Sequence, residues 1–312
     1  MLAIFNVAFP VFGLIFVGFF CRKRNILGPN ASSELNRFVI FLGLPSLLFE
    51  SMSRLASVQS LNLGYIAAFG LGMAGVFGLT LWIRLRSRAH FIDATIDALG
   101  AAYPNSGFLG IPLCLLTFGD QSMPPAVIGT LMTACLLFAV AIIMIESYRQ
   151  AEKHLGRTLL KVGGSLLRNP VMLAPLFGAL VAASGWQMPS GLRQLFQFLG
   201  AAAGPCALVS IGLFLAASKP QPGDARTVFL LVLCKLILQP LLTAWLAFKV
   251  FDMPPMWAWA ALLLSALPIG NGPFMLAELF EREANTMSRS ILISTLLSLV
   301  TVSIILAMIP AV

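Results

Sequence analysis

Apolar residues along this chain come in long runs separated by short polar or basic stretches. About twenty apolar residues in a helix cross a bilayer. Ten such segments are predicted, at roughly 2–20, 36–53, 63–83, 93–118, 123–145, 170–186, 192–217, 227–250, 257–281 and 289–309. Two of them are not continuous. Segment four is interrupted at Tyr103-Pro104-Asn105-Ser106-Gly107-Phe108-Leu109-Gly110-Ile111-Pro112, and segment nine at Leu267-Pro268-Ile269-Gly270-Asn271-Gly272-Pro273-Phe274.

Composition turns these runs into membrane spans. Of the 312 residues, 59% are hydrophobic and 10% are charged, with a mean hydropathy of +0.92. A soluble domain carries about 25% charged residues. The chain is therefore an integral, multi-pass membrane protein of the cell membrane, with lipid as its solvent. The first run ends at Arg22-Lys23-Arg24 and not at a small-residue cleavage site, so it reads as a retained span. The five cysteines are scattered through apolar segments and read as small core hydrophobes.

The net charge of +8 raises the question of a nucleic-acid partner. Its distribution answers it. With both termini outside, sixteen of the twenty Lys and Arg residues flank the inner ends of the spans. Three, Arg54, Arg193 and Lys249, lie outside, and Lys235 lies within a span. This is the positive-inside pattern. The basic charge orients the chain and implies no nucleic-acid binding.

The longest loop, 146–169, divides the chain into a first five-helix repeat, 1–145, and a second, 170–312. With five spans per half, the second half enters the membrane from the opposite side. That is the condition for inverted-topology repeats. The predicted fold is thus all-α, with ten transmembrane helices in two inverted repeats, and with helices 4 and 9 broken and crossing.

A break in a span is tolerated only where protein or a cavity satisfies the freed backbone groups. Matched breaks in two halves point to a transporter's binding site near mid-membrane. Pro104 cannot continue a helix from Asp93 without losing a hydrogen bond. Pro112 and Pro273 have the fixed φ that suits a first helical turn, so each is expected to start a second half-helix. Helix N-termini present free N–H groups to an anion, and C-termini present carbonyls to a cation. Asn105 and Asn271 both donate and accept hydrogen bonds. Ser106, Gly107, Gly110, Gly270 and Gly272 permit close approach of backbone to substrate.

At these residues the chain resembles the auxin efflux carrier family, which includes plant auxin carriers and bacterial permeases. The similarity lies in Pro104-Asn105-Ser106-Gly107-Phe108-Leu109-Gly110-Ile111-Pro112-Leu113, in Leu267-Pro268-x-Gly-x-x-Pro273-Phe274, in Arg168-Asn169-Pro170 and in Ser210-Ile211-Gly212-Leu213. The resemblance covers nearly the whole chain. It implies a scaffold domain and a transport domain, and export or uptake of small organic anions such as mono- or dicarboxylates by alternating access. It implies that Asn105 contacts substrate and that Pro112 and Pro273 are the crossover prolines. By analogy a homodimer is also expected. The acidic residue that plant carriers use near the start of the third span has no counterpart, since no Asp or Glu lies between Glu50 and Asp93. The long cytoplasmic loop of many plant members is absent too, which favours the bacterial permease type.

Other polar residues in the spans carry two readings each. Lys235 either faces the interior and attracts a carboxylate or snorkels to the inner surface. Asp97 either carries a coupling proton or sodium, or joins Asp93 at i, i+4 as a cytoplasmic-end pair facing basic loops. Gly70-x-Gly72-x-x-Gly75 sits inside an apolar span with no preceding strand, so it reads as helix packing and not as a nucleotide site. Gly200 and Gly204 form a small-xxx-small packing face. No metal-ligand spacing, nucleophile elbow or phosphate loop is present. The sequence therefore predicts no enzyme, no cofactor and no metal. The expected partners are a small organic anion, membrane lipid and a coupling proton or sodium. Two other readings stand beside this one: a sodium- or proton-coupled ion exchanger or symporter of the related crossed-helix architecture, and a channel or non-transporting receptor.

Overall fold

The computed structural model describes residues 2–53, 62–149, 170–217 and 224–310. The linker predicted at 146–169 lies outside these residues beyond Arg149, as does Arg54. The described residues are helical apart from short connections, and their only β pairing is an isolated bridge.

The helices fall on the predicted apolar segments. They are α1 (Leu2–Lys23), α2 (31–53), α3 (Leu63–Arg86), α4 (Phe91–Ala102), α5 (Ser106–Phe118), α6 (Asp120–Arg149), α7 (Pro170–Ser184), α8 (Ser190–Ala217), α9 (Ala225–Val250), α10 (Pro255–Ser265), α11 (Gly272–Leu279) and α12 (Asn285–Met308). Five of them, α3, α6, α8, α9 and α12, are individually long and apolar enough to cross a membrane. Segments four and nine each appear as two shorter helices, α4 with α5 and α10 with α11.

Local chemistry sets the helix ends. The Asn62 side chain accepts from the Tyr65 N–H at 2.9 Å and so caps α3. Asp224 accepts from the Arg226 N–H at 3.1 Å and caps α9. The Thr227 hydroxyl also donates to Asp224, and it holds that carboxyl below its ordinary range. Pro255 and Pro273 stand in the first turns of α10 and α11, where a missing N–H costs no bond.

Two of the π-helical turns in these helices have an evident cause. One covers Ser106–Gly110 and is followed by Pro112; the other covers Cys234–Leu238 and is followed by Pro240. Proline has no N–H to give to the carbonyl four residues back, and its ring clashes there. A widened turn just before it relieves both problems. The same effect shifts the start of the half-helix after the first break. The sequence predicts that it begins near Pro112. It begins at Ser106, with the wide turn placing Pro112 in the first α-helical turn that follows.

The chain divides into two compact units. The first comprises Met1–Leu61, Gly107–Val127 and Ser165–Ser218. It is built on close helix contacts through small residues. A Cβ on Gly212 of α8 would lie 1.9 Å from the Ile15 carbonyl oxygen of α1, and one on Gly18 of α1 would lie 2.1 Å from that of Val209. Gly200 sits 3.1 Å in the same sense from the Leu47 backbone, and Gly204 sits 3.2 Å from the Pro112 ring. The small-xxx-small face is thus a packing face. The Ser210 hydroxyl donates to Asn36 Oδ1 at 2.7 Å and ties α8 to α2.

The second unit comprises Asn62–Ser106, Ile128–Gly164 and Lys219–Val312. Here α3 and α9 pack where Gly72 meets Thr243 and Gly75 meets Leu242. The glycines of the dinucleotide-like pattern therefore admit neighbouring side chains. Tyr65 stacks near Phe69 and meets Trp257 edge-on, 5.4 Å between ring centroids. Each unit takes helices from both halves of the chain, α1, α2, α7 and α8 in the first, and α3, α4 and α9–α12 in the second.

Candidate functional site

Within the second unit the two breaks meet. After Ala102 the chain leaves helical geometry, with Tyr103 extended at φ −101°, ψ 90°. After Ser265 the other segment does the same. The stretches pair as a short antiparallel bridge between Pro104 and Ile269. The Asn105 N–H donates to the Pro268 carbonyl at 2.9 Å, and the Gly270 N–H donates to the Tyr103 carbonyl at 3.0 Å. Each break thus satisfies backbone groups that the other frees, which an apolar medium demands.

The remaining exposed ends are served by side chains. Lys235 and Gln239 lie one turn apart on α9 and are both fully buried. Lys235 Nζ donates to the Ser265 carbonyl at 2.6 Å, at the C-terminus of α10. Gln239 Nε2 donates to the Ala102 carbonyl at 3.3 Å, at the C-terminus of α4. One helix therefore places a donor on the negative end of each half-helix, where donors and positive charge are favoured. Ser294 of α12 accepts from the Ile269 N–H at 3.1 Å. The sequence marks Lys235 but gives no role to Gln239 or Ser294. Gln239, i+4 from an intramembrane lysine and just before Pro240, carried the readable signal.

The bridge has two unlike faces. Pro104 and Ile269 are buried. Tyr103 and Asn105 are partly exposed on the other face, opposite Gly270 and Pro268. The side-chain amides of Asn105 and Asn271 make no hydrogen bond among the described residues. Gly270 and Gly272 make room for a neighbouring side chain. The space that a Cβ would take on either is filled by the Tyr103 ring, at 3.0 Å for Gly270 and 2.5 Å for Gly272.

The predicted site residues divide between the units. Asn105, Ser106, Lys235, Gly270, Asn271, Gly272 and Pro273 are in the second, and Gly107, Gly110 and Pro112 are in the first. Lys235 does not snorkel. It is fully buried, and no carboxylate lies in ion-pair range of it among the described residues. Asp97 is buried and paired, with Arg84 Nε at 2.7 Å from its Oδ2. Asp93 takes two hydrogen bonds from Arg282. Both aspartates thus meet arginines from the flanks of the predicted spans. No group of three or more metal-ligating side chains is found among the described residues.

The described residues are helical and strongly apolar, and two broken helices pair beside buried polar side chains. Residues 3–306 match the family of membrane transport proteins, and the chain belongs to that family, the auxin efflux carrier family. The chain is a membrane transporter and not an enzyme. It is 29% identical over 311 residues to a protein of Rhizobium meliloti named "Putative malonate transporter", covering 97% of this chain and 95% of that one. It is 27% identical to an uncharacterized transporter of Methanothermobacter thermautotrophicus, covering 92% of each chain. It is 20% identical to auxin efflux carrier component 8 of Arabidopsis thaliana, covering 94% of this chain and 93% of that one.

Proposed function

We propose that the protein is a secondary active transporter of a small organic anion, a mono- or dicarboxylate, working by alternating access. The observation that carries this reading is the bridge between the breaks, with the unpartnered amides of Asn105 and Asn271 beside it and the buried amino group of Lys235 on the C-terminus of α10. A buried charge without a counter-ion costs several kcal/mol. A carboxylate entering beside the bridge offsets that cost for a charged Lys235. Asn105 and Asn271 offer it unpartnered amide donors, and the first turn of α11 offers free N–H groups. The name of the Rhizobium meliloti relative points to the same chemical class.

The proposed framework is ten spans in two inverted five-helix repeats, 1–145 and 170–312, with both termini outside. Support comes from the composition of the compact units. Equivalent spans of the two halves, one and two with six and seven, fall in the same unit, and spans three and eight to ten share the other. Asp97, paired to Arg84, takes a structural role in this reading.

The test is thermal-shift titration of the detergent-purified protein with mono- and dicarboxylates, with and without sodium and across pH. A ligand of the folded state raises apparent stability with its saturation. A carboxylate is expected to stabilise the wild type, and Asn105→Ala to weaken its binding about 10- to 100-fold, the worth of a hydrogen bond to a charged group. Unchanged binding in Asn105→Ala would remove Asn105 from the site. Stabilisation by sodium or pH alone, with no carboxylate effect, would instead favour ion exchange.

A further inference from the structure

Tyr103 is the side chain whose placement the transport reading leaves unused. It lies on the extended stretch two residues before Asn105, and alternate residues of extended backbone project to the same side. Its neighbour Pro104 faces the buried side with Ile269. The Tyr103 ring packs against Gly270 and Gly272, and a Cβ on Gly272 would stand 2.7 Å from the hydroxyl oxygen. A second ring, Phe138, meets it edge-on at 6.3 Å between centroids. The phenol is thereby fixed over the start of α11. It is partly exposed, and its hydroxyl makes no hydrogen bond among the described residues. An aromatic ring seated this closely, with a polar tip left unmatched, is in the posture of a recognition residue.

We propose that Tyr103 is a specificity-determining residue of the site. Its hydroxyl donates to the second carboxylate of a short dicarboxylate whose first carboxylate is held by Asn105 on the same face of the bridge. The inference rests on the transport reading above and narrows its substrate class from carboxylates in general to dicarboxylates. Gly270 and Gly272 are then small because the ring must lie against their backbone.

The experiment compares wild type, Tyr103→Phe, Gly272→Ala and Asn105→Ala in calorimetric titrations with malonate, succinate, acetate and propionate. Phenylalanine keeps the ring and removes only the hydroxyl. Tyr103→Phe is expected to weaken malonate and succinate binding about tenfold or more, the loss of one hydrogen bond to a charged group. Acetate and propionate, with one carboxylate, are expected to bind as in the wild type. Gly272→Ala adds a methyl group where the ring now lies and is expected to reproduce the dicarboxylate loss. Equal affinities in wild type and Tyr103→Phe, or equal losses for mono- and dicarboxylates, would overturn the proposal. If Asn105→Ala abolishes binding while Tyr103→Phe does not alter it, Tyr103 alone is excluded. If the wild type binds none of the four acids, the carboxylate reading falls and this one with it.

Discussion

Lys235 buries its amino group, with no exposed surface, against one backbone carbonyl. Two roles are combined in it, a cap on α10 and, in the transport reading, a charged partner for the substrate, and substitution separates them. Methionine has similar length and volume, and replacing buried ionic groups by apolar ones is often neutral or stabilising. Lys235→Met is therefore expected to keep the thermal midpoint within a few degrees or raise it, while carboxylate binding falls by about 100-fold or more through loss of the charged partner. A purified variant that melts normally and still binds carboxylate with wild-type affinity would show that the charge serves folding alone. The sequence left two orientations open at this position, because a lysine about nine residues into a predicted span is compatible with both. Only the packing of α9 against α10 decides between them. Gly270 and Gly272 illustrate the same limit. Their smallness is visible in the sequence, but the ring that needs it comes from a break about 165 residues away.

At the scale of the helices, the breaks were readable for a simple reason. Pro104, Pro268 and their glycine and asparagine neighbours remove or misdirect backbone hydrogen bonds wherever they stand. The backbone hydrogen bonds between them were not readable, since these depend on how distant segments pack. The half-helix α4 is the element on which this pairing hangs. Arg84 anchors it through Asp97, and Arg282 anchors it through Asp93. The two pairs differ in burial. The side chains of Arg84 and Asp97 are 19% and 9% exposed, and those of Arg282 and Asp93 are 33% and 35% exposed. Removing one partner of a buried pair strands a charge and costs about 3–5 kcal/mol, whereas solvent screening lowers the worth of the more exposed pair. Arg84→Ala is thus expected to destabilise the protein several times more than Arg282→Ala in denaturant or thermal unfolding. The double change Arg84→Met/Asp97→Leu should recover most of the loss. Equal effects of the two arginine variants would mean that solvent screens both pairs alike.

At the scale of the whole chain, the distribution of basic residues and the broken helices make one joint claim about orientation. The positive-inside split predicts that the end of α1 is on the cytoplasmic side and the end of α9 on the outer side. Inverted repeats require that these two places, in opposite halves, face opposite compartments. Cys21 lies at the first and is partly exposed; Lys249 lies at the second and is exposed. Two single-cysteine proteins test the claim, one keeping Cys21 alone and one with all five native cysteines replaced and Lys249→Cys introduced. A membrane-impermeant maleimide applied to intact cells is expected to label Lys249→Cys and to leave Cys21 unlabelled. In inverted vesicles the order should reverse. Labelling of both sites from one side would break the inverted-repeat topology, because an even number of crossings would then separate α1's end from α9's. Labelling in the reversed sense would keep the repeats and overturn only the orientation, assigning the sixteen flanking charges to the outer face.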